Sequence, residues 1–150
     1  MITDLSVRRA DATDLDALVP LFDGYRMFYR QASDPEAARA FMTDRLGGED
    51  AVVFLAHLGD APVGFTQLYP LFSSVRMRRV WLLNDLYVAL EARRQGVAEA
   101  LMNAARDFAR DDGAVAVQLA TEHDNTGAQA LYERLGYARD TDFRTYELTL

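Results

Sequence analysis

Two apolar runs, 80–88 and 115–120, flank a stretch, 95–112, whose length and periodicity suit only a helix. A helix between two strands of one sheet makes them parallel, because the chain must cross back over the sheet before re-entering it. Val97, Leu101, Ala105, Phe108 and Ala109 recur at helical spacing and predict its buried stripe. Gly113 ends the helix, and the near-continuous apolar run after it fits a strand covered on both faces.

Around this crossover the remaining elements fall into order. Residues 5–9 alternate like a strand, and Thr13 with Asp16 resembles a capping box opening a helix to about residue 30. Asp34-Pro35 reads as the start of a second helix and Gly47-Gly48 as its end. Runs 51–58 and 63–72 flank Gly59-Asp60-Ala61-Pro62 and predict a hairpin, with a third antiparallel strand over 80–88 after Ser73-Ser74. A last helix is predicted over 125–135 with Gly136 as its C-terminal glycine. From Tyr137 onward two final strands are expected, turning near Thr141-Asp142. The reading is an α/β chain with a mixed, mostly antiparallel sheet of six to seven strands. One strand pair is parallel, and about four helices cover both faces in a single domain over 1–150.

The chain has no cysteine, which removes disulfides, thiolate metal sites and cysteine nucleophiles. The opening Met1-Ile2-Thr3-Asp4 lacks a leader pattern and no apolar run reaches membrane-spanning length, so a cytoplasmic protein is expected. A net charge of −7 speaks against nucleic-acid and anionic-membrane partners and is compatible with a cationic substrate. His57 in a strand and His123 in a loop make a poor metal pair, so no metal is expected. Nucleophile-elbow, zinc-protease, P-loop and dinucleotide signatures are all missing.

The informative segment is Leu83-Asn84-Asp85-Leu86-Tyr87-Val88, a short loop, then Arg93-Arg94-Gln95-Gly96-Val97-Ala98 entering the long helix. Main-chain amides gathered at the positive end of a helix form an anion site, and pyrophosphate is its natural occupant. Gly96 permits close approach, Ala98 keeps the next turn uncrowded, and Arg93 and Arg94 bring cations. Read alone, the same residues are an ordinary polar loop before a helix.

A second block follows, Asn125-Thr126-Gly127-Ala128-Gln129-Ala130-Leu131-Tyr132-Glu133-Arg134-Leu135-Gly136-Tyr137. The two blocks, in this order and separation, resemble the GNAT (Gcn5-related N-acetyltransferase) superfamily. The resemblance covers roughly residues 5 to 149 and is most specific over 83–137. It implies the GNAT fold and acetyl-coenzyme A as cofactor. Main chain of the segment Leu86, Tyr87 and Val88 would hold the pantetheine arm, and Arg93, Arg94, Gln95, Gly96, Val97 and Ala98 the pyrophosphate. Asn125 would contact the coenzyme and Tyr132 would stand beside its sulfur; without the family, a core aromatic on the Ala128, Leu131, Leu135 stripe is the better explanation of Tyr132, and the family pattern reverses that order.

Leu83 to Val88 is also similar to a segment of the diamine acetyltransferases, and Tyr25-Arg26-Met27-Phe28-Tyr29 resembles the histone and polyamine acetyltransferase subgroup. Asn84 departs from that pattern, since it replaces a glutamate thought to act as base. The resemblance implies transfer of an acetyl group to a primary amine of a polyamine, small amine or lysine side chain by direct attack. Asp85 and Glu122 are the candidate bases or cation-attracting groups, Tyr132 the candidate acid and the Val88 amide the oxyanion donor. Tyr25, Tyr29, Gln67, Tyr69, Asn84 and Asp85 are the candidate acceptor residues. The rival readings are a non-catalytic acetyl-coenzyme A sensor and an acetyltransferase of charged tRNA, the latter disfavoured by the acidic balance. A homodimer through the sheet edge or the last strands is left open.

Overall fold

Five strands form one sheet in sequence order: β1 (Leu5–Arg9), β2 (Val52–Leu58), β3 (Ala61–Ser73), β4 (Arg78–Val88) and β5 (Ala116–Gln118). In this computed structural model, which describes residues 4–150, the first three ladders are antiparallel and the β4–β5 ladder is parallel. The helices are α1 (Leu15–Phe28), α2 (Pro35–Gly47), α3 (Val97–Asp111) and α4 (Thr126–Arg134). The expected crossover is therefore present, running from β4 through α3 to β5. No helix among the described residues is long and apolar enough to cross a membrane.

Within the unit up to Leu119, α1 and α2 cover one face of the sheet and α3 the other. Leu18, Val19, Leu21 and Phe22 of α1 pack with Met42 of α2 against Val53, Leu55 and Phe65. Phe65 is fully buried, and emptying such a site to alanine costs about 3–5 kcal/mol. On the opposite face the expected α3 stripe is buried at Val97, Leu101, Ala105 and Ala109, while Phe108 meets the rings of Phe54 and Trp81. Gly64 makes this approach close. A β-carbon there would stand 2.8 Å from the Tyr87 carbonyl oxygen and 3.2 Å from Val97 Cγ1.

Local polar contacts set the helix ends. The capping box at the first helical segment uses Asp11 and Asp14, not Thr13 and Asp16. Asp14 wins because its carboxylate also takes two hydrogen bonds from the Arg8 guanidinium, at 2.9 and 2.6 Å. Between α1 and α2, buried Asp23 accepts from the Ser33 hydroxyl and the Asp34 amide at 2.7 and 2.8 Å, which fixes where α2 begins. Asp34 in turn caps α2 at the Ala37 amide.

Ala120–Leu150 is a separate compact unit from the chain up to Leu119. Within it α4 is capped by the Asn125 side chain at the Ala128 amide. The two strands expected after Tyr137 are not formed, so the sheet has five strands and not six to seven. The expected turn near Thr141-Asp142 does exist: Asp140 accepts from the Asp142 and Phe143 amides at 2.9 and 3.3 Å. Phe143, Tyr146 and Leu148 beyond it are exposed. Alternation of side chains foretells which way residues face, but a strand also needs a ladder partner.

Candidate active site

The β3–β4 ladder contains one irregularity. Gln67 pairs with Asp85 and Leu68 with Leu83, so Asn84 is an extra residue bulged out of β4. On its other side β4 pairs with β5 only through Val80, Trp81 and Leu82. Beyond Leu82 the outer edge of β4 has no strand partner among the described residues.

The direction of that edge follows from two hydrogen bonds. The Ala89 amide donates to the Val63 carbonyl at 2.8 Å, toward β3. Alternation then sends the Tyr87 amide the same way and the Leu86 and Val88 amides to the open edge. The Val88 carbonyl lies on that edge as well, where it accepts from Arg93 Nε at 2.9 Å.

The chain after β4 turns sharply into α3. Arg94 and Gly96 both take left-handed backbone conformations, with φ of 64° and 80°. Gly96 is the N-cap of α3 and offers no side-chain cap, so the Val97 and Ala98 amides at the helix start are left without an intrahelical acceptor. Open space surrounds the position a β-carbon on Gly96 would take. Arg93 folds back over Phe28 and Tyr87, whereas Arg94 is exposed at the loop. Gln95 leans toward the Glu91 carbonyl at 3.4 Å. A bare helix N-terminus, two left-handed residues and an exposed guanidinium fit a diphosphate group, and the open β4 edge fits an amide-bearing arm. These are the groups a coenzyme A ester carries.

Next to the bulge lies a cavity of about 350 Å³ between α1, α2 and the β3–β4 pair. Four of the expected acceptor residues, Tyr25, Tyr69, Asn84 and Asp85, line it. Gln67 is behind them, fully buried, and donates from Nε2 to Asp85 Oδ2 at 2.6 Å. Asn84 donates from Nδ2 to Oδ1 at 2.7 Å, and Thr66 fixes the Asp85 carbonyl at 2.7 Å. Tyr29 stands just past the end of α1, its ring 5.2 Å from that of Tyr25, and does not line the cavity.

Asp85 is 2% exposed. Burial lifts its carboxyl above the ordinary carboxylate range, and donors on Gln67, Asn84 and Tyr25 pull it partly back. The balance is physically reasonable, since withdrawing a carboxylate from water costs several kcal/mol and each hydrogen bond to it returns about 1.5–3. The Tyr25 hydroxyl is raised by burial and by the Asp85 charge, and also reaches the Asn84 carbonyl at 3.2 Å. Tyr69 is pushed up to about 12, chiefly by burial and then by Asp85.

Phe22, Arg26, Ala37, Ala38 and Phe41 complete the lining and were not among the expected site residues. Helical spacing contained part of this signal, because Phe22, Tyr25 and Arg26 stand three and four residues apart and share one face. In the second unit, Glu122 precedes α4 and its carbonyl accepts from the Asn125 amide at 3.0 Å and from Gln129 Nε2 at 3.1 Å. Tyr132 lies on α4 with its ring 6.2 Å from that of Tyr137. Among the described residues no cluster of three or more metal-ligating side chains occurs.

Comparison with known proteins bears on the family and the fold. The chain matches the acetyltransferase (GNAT) family over residues 17–137. It is 46% identical to a Bacillus subtilis protein described as an uncharacterized N-acetyltransferase, over 97% of this chain and 98% of that one. A D-amino-acid N-acetyltransferase of Saccharomyces cerevisiae is 31% identical, over 93% and 89% of the two chains. A crystal structure of a probable acetyltransferase superposes with a TM-score of 0.90 at 44% identity, covering 97% of each chain. With the family pattern spanning most of its length, the chain belongs to the GNAT acetyltransferases and is an N-acetyltransferase, for which the family implies acetyl-coenzyme A as donor.

Proposed function

We propose that this N-acetyltransferase acetylates a primary amine bound in the cavity beside the β4 bulge, by direct attack. The observation that carries the proposal is the buried Asp85 carboxylate, held by two side-chain amides at the base of an aromatic-walled cavity. Acetyl-coenzyme A supplies an activated acyl group when bound. The amides of Val97 and Ala98 with Arg94 would hold its diphosphate, and the outward amides of Leu86 and Val88 its arm. Asn125 is assigned a coenzyme contact by resemblance alone; its side chain also caps α4.

The acceptor arrives as an ammonium, since an alkylamine has a pKa near 10, and cannot attack until it sheds a proton. Asp85 attracts the cation and takes that proton, directly or through one water. Its lifted pKa suits the task, because a base is most effective when its affinity for the proton approaches the working pH. The Val88 N–H, fixed in the strand, donates to the acyl oxygen as charge gathers there. Tyr132 is proposed as the proton donor to the departing sulfur, and Glu122 as a second carboxylate attracting the acceptor.

Small amines, polyamines and lysine side chains all satisfy this chemistry. A single buried carboxylate in about 350 Å³ favours a small amine with one ammonium over a polyamine, and the yeast relative is described as acting on amino acids. The test is release of free thiol from acetyl-coenzyme A, measured with and without a panel of amines. Amine-dependent release is expected. Coenzyme binding without release in the presence of any amine would instead identify a sensor.

A further inference from the structure

Two opposite charges line the same small cavity. One is the Asp85 carboxylate and the other is Arg26, contributed by α1. Among the described residues the Arg26 guanidinium gives one hydrogen bond, from Nη1 to the Ala32 carbonyl at 3.1 Å. Asp23, the nearest carboxylate on its helix, is already taken by Ser33 and the Asp34 amide; the Arg26 charge helps keep it ionised only as the smallest influence, and no direct ion pair joins the two among the described residues. The neighbouring cation behaves differently: Arg45 lies over the Phe41 ring and pairs with Asp50 at 3.1 Å. Arg26 therefore keeps most of its planar fork of N–H donors, the geometry that matches a carboxylate in two places.

An acceptor with cationic groups alone would set a positive charge against Arg26. One carrying its own anion would satisfy both charges at once. We propose that the acceptor is a small zwitterion of the amino-acid class, its ammonium on Asp85 and its carboxylate on Arg26. Phe22, Tyr25 and Tyr69 would then enclose the hydrocarbon part between the two charged ends. This rests on the cavity being the acceptor site, as set out above, and adds no chemical step. Arg26 binds and orients, so its effect falls on discrimination between acceptors.

The experiment measures thiol release by the full chain with amino acids, each set beside its own carboxamide, and with spermidine. The carboxamide keeps size and amine and removes only the anion. In the unmodified protein the acid is expected to exceed its amide in kcat/KM by about tenfold or more. Arg26→Gln should compress that ratio to within about threefold, with Arg26→Lys in between. Equal turnover of acid and amide, a preference that survives Arg26→Gln, or spermidine outrunning every amino acid would overturn the zwitterion proposal while leaving amine transfer standing. Thiol release with no amine at all in the panel would bring down both. Melting curves establish that the variants are folded, and if neither is, the acid-to-amide ratio of the unmodified protein decides alone.

Discussion

Gln67 donates to Asp85 across the β3–β4 ladder at 2.6 Å, and the oxygen of the same Gln67 amide is buried with no partner. The amide thus leaves one acceptor unsatisfied while its donor stabilises the charged form of a carboxylate that burial would otherwise hold protonated. Gln67→Leu removes that donor at similar volume. The Asp85 proton should then be held more tightly, and the acidic limb of the kcat/KM profile should move upward by about one to two pH units, given about 1.5–3 kcal/mol for such a bond. An unmoved limb in a folded variant would dissociate Gln67 from the titration.

Asp85 also sets a stability trend with a definite sign. Its folded pKa lies above the unfolded carboxylate value of about 3.9, so the folded state holds this proton more tightly. Stability from this group is complete below the unfolded pKa and is lost as pH rises through the folded one. Asp85→Asn removes the loss. Its melting temperature relative to the parent should climb as pH rises above the unfolded carboxylate value of about 4, while turnover falls by about a hundredfold or more.

At the α3 N-terminus, Gly96→Glu places a carboxylate beside the bare amides and forces a side chain into a left-handed backbone position with φ of 80°. Affinity for acetyl-coenzyme A, measured by calorimetry, should be abolished. Unchanged affinity would move the diphosphate site away from Gly96.

Gly64 is a packing position. An alanine β-carbon would collide with the Tyr87 carbonyl oxygen at 2.8 Å and press on Val97 and Leu101. Gly64→Ala should destabilise the fold by about 1–3 kcal/mol in denaturant titration. A neutral result would mean that α3 can back away from the sheet without loss.

Tyr132→Phe removes a hydroxyl and little else. On the proposed acid role, turnover should fall by about a hundredfold, with coenzyme affinity nearly intact. Steady-state rates equal to the parent's would remove Tyr132 from the proton path.

The sequence revealed most of the framework because apolar periodicity and glycine punctuation are local properties. The α3 stripe, the Asp34-Pro35 start of α2 and the β2–β3 hairpin all follow from neighbours within a few residues. What it hid was non-local. Nothing in Leu83 to Val88 announces that Asn84 is extra, since a bulge is a relation between two strands. Nothing local marks Arg26 as a cavity residue, since the cavity it lines is shared with Ala37, Ala38 and Phe41 of α2, and the terminal segment alternated as a strand would without finding a partner.

The bulge has a further consequence for the shape of the enzyme. Ahead of it, Trp81 points into the α3 layer, where it meets Phe108; two-residue periodicity alone would send Leu83, Asp85 and Tyr87 after it. One inserted residue resets that phase, so Asp85 instead enters the cavity under α1. Drawing Asn84 into the ladder opposite Gln67 would shift Asp85 to Thr66 and turn the carboxylate through half a revolution into a dry helix–sheet interface, leaving a protein that has every residue type of the site and no basic group where the amine docks.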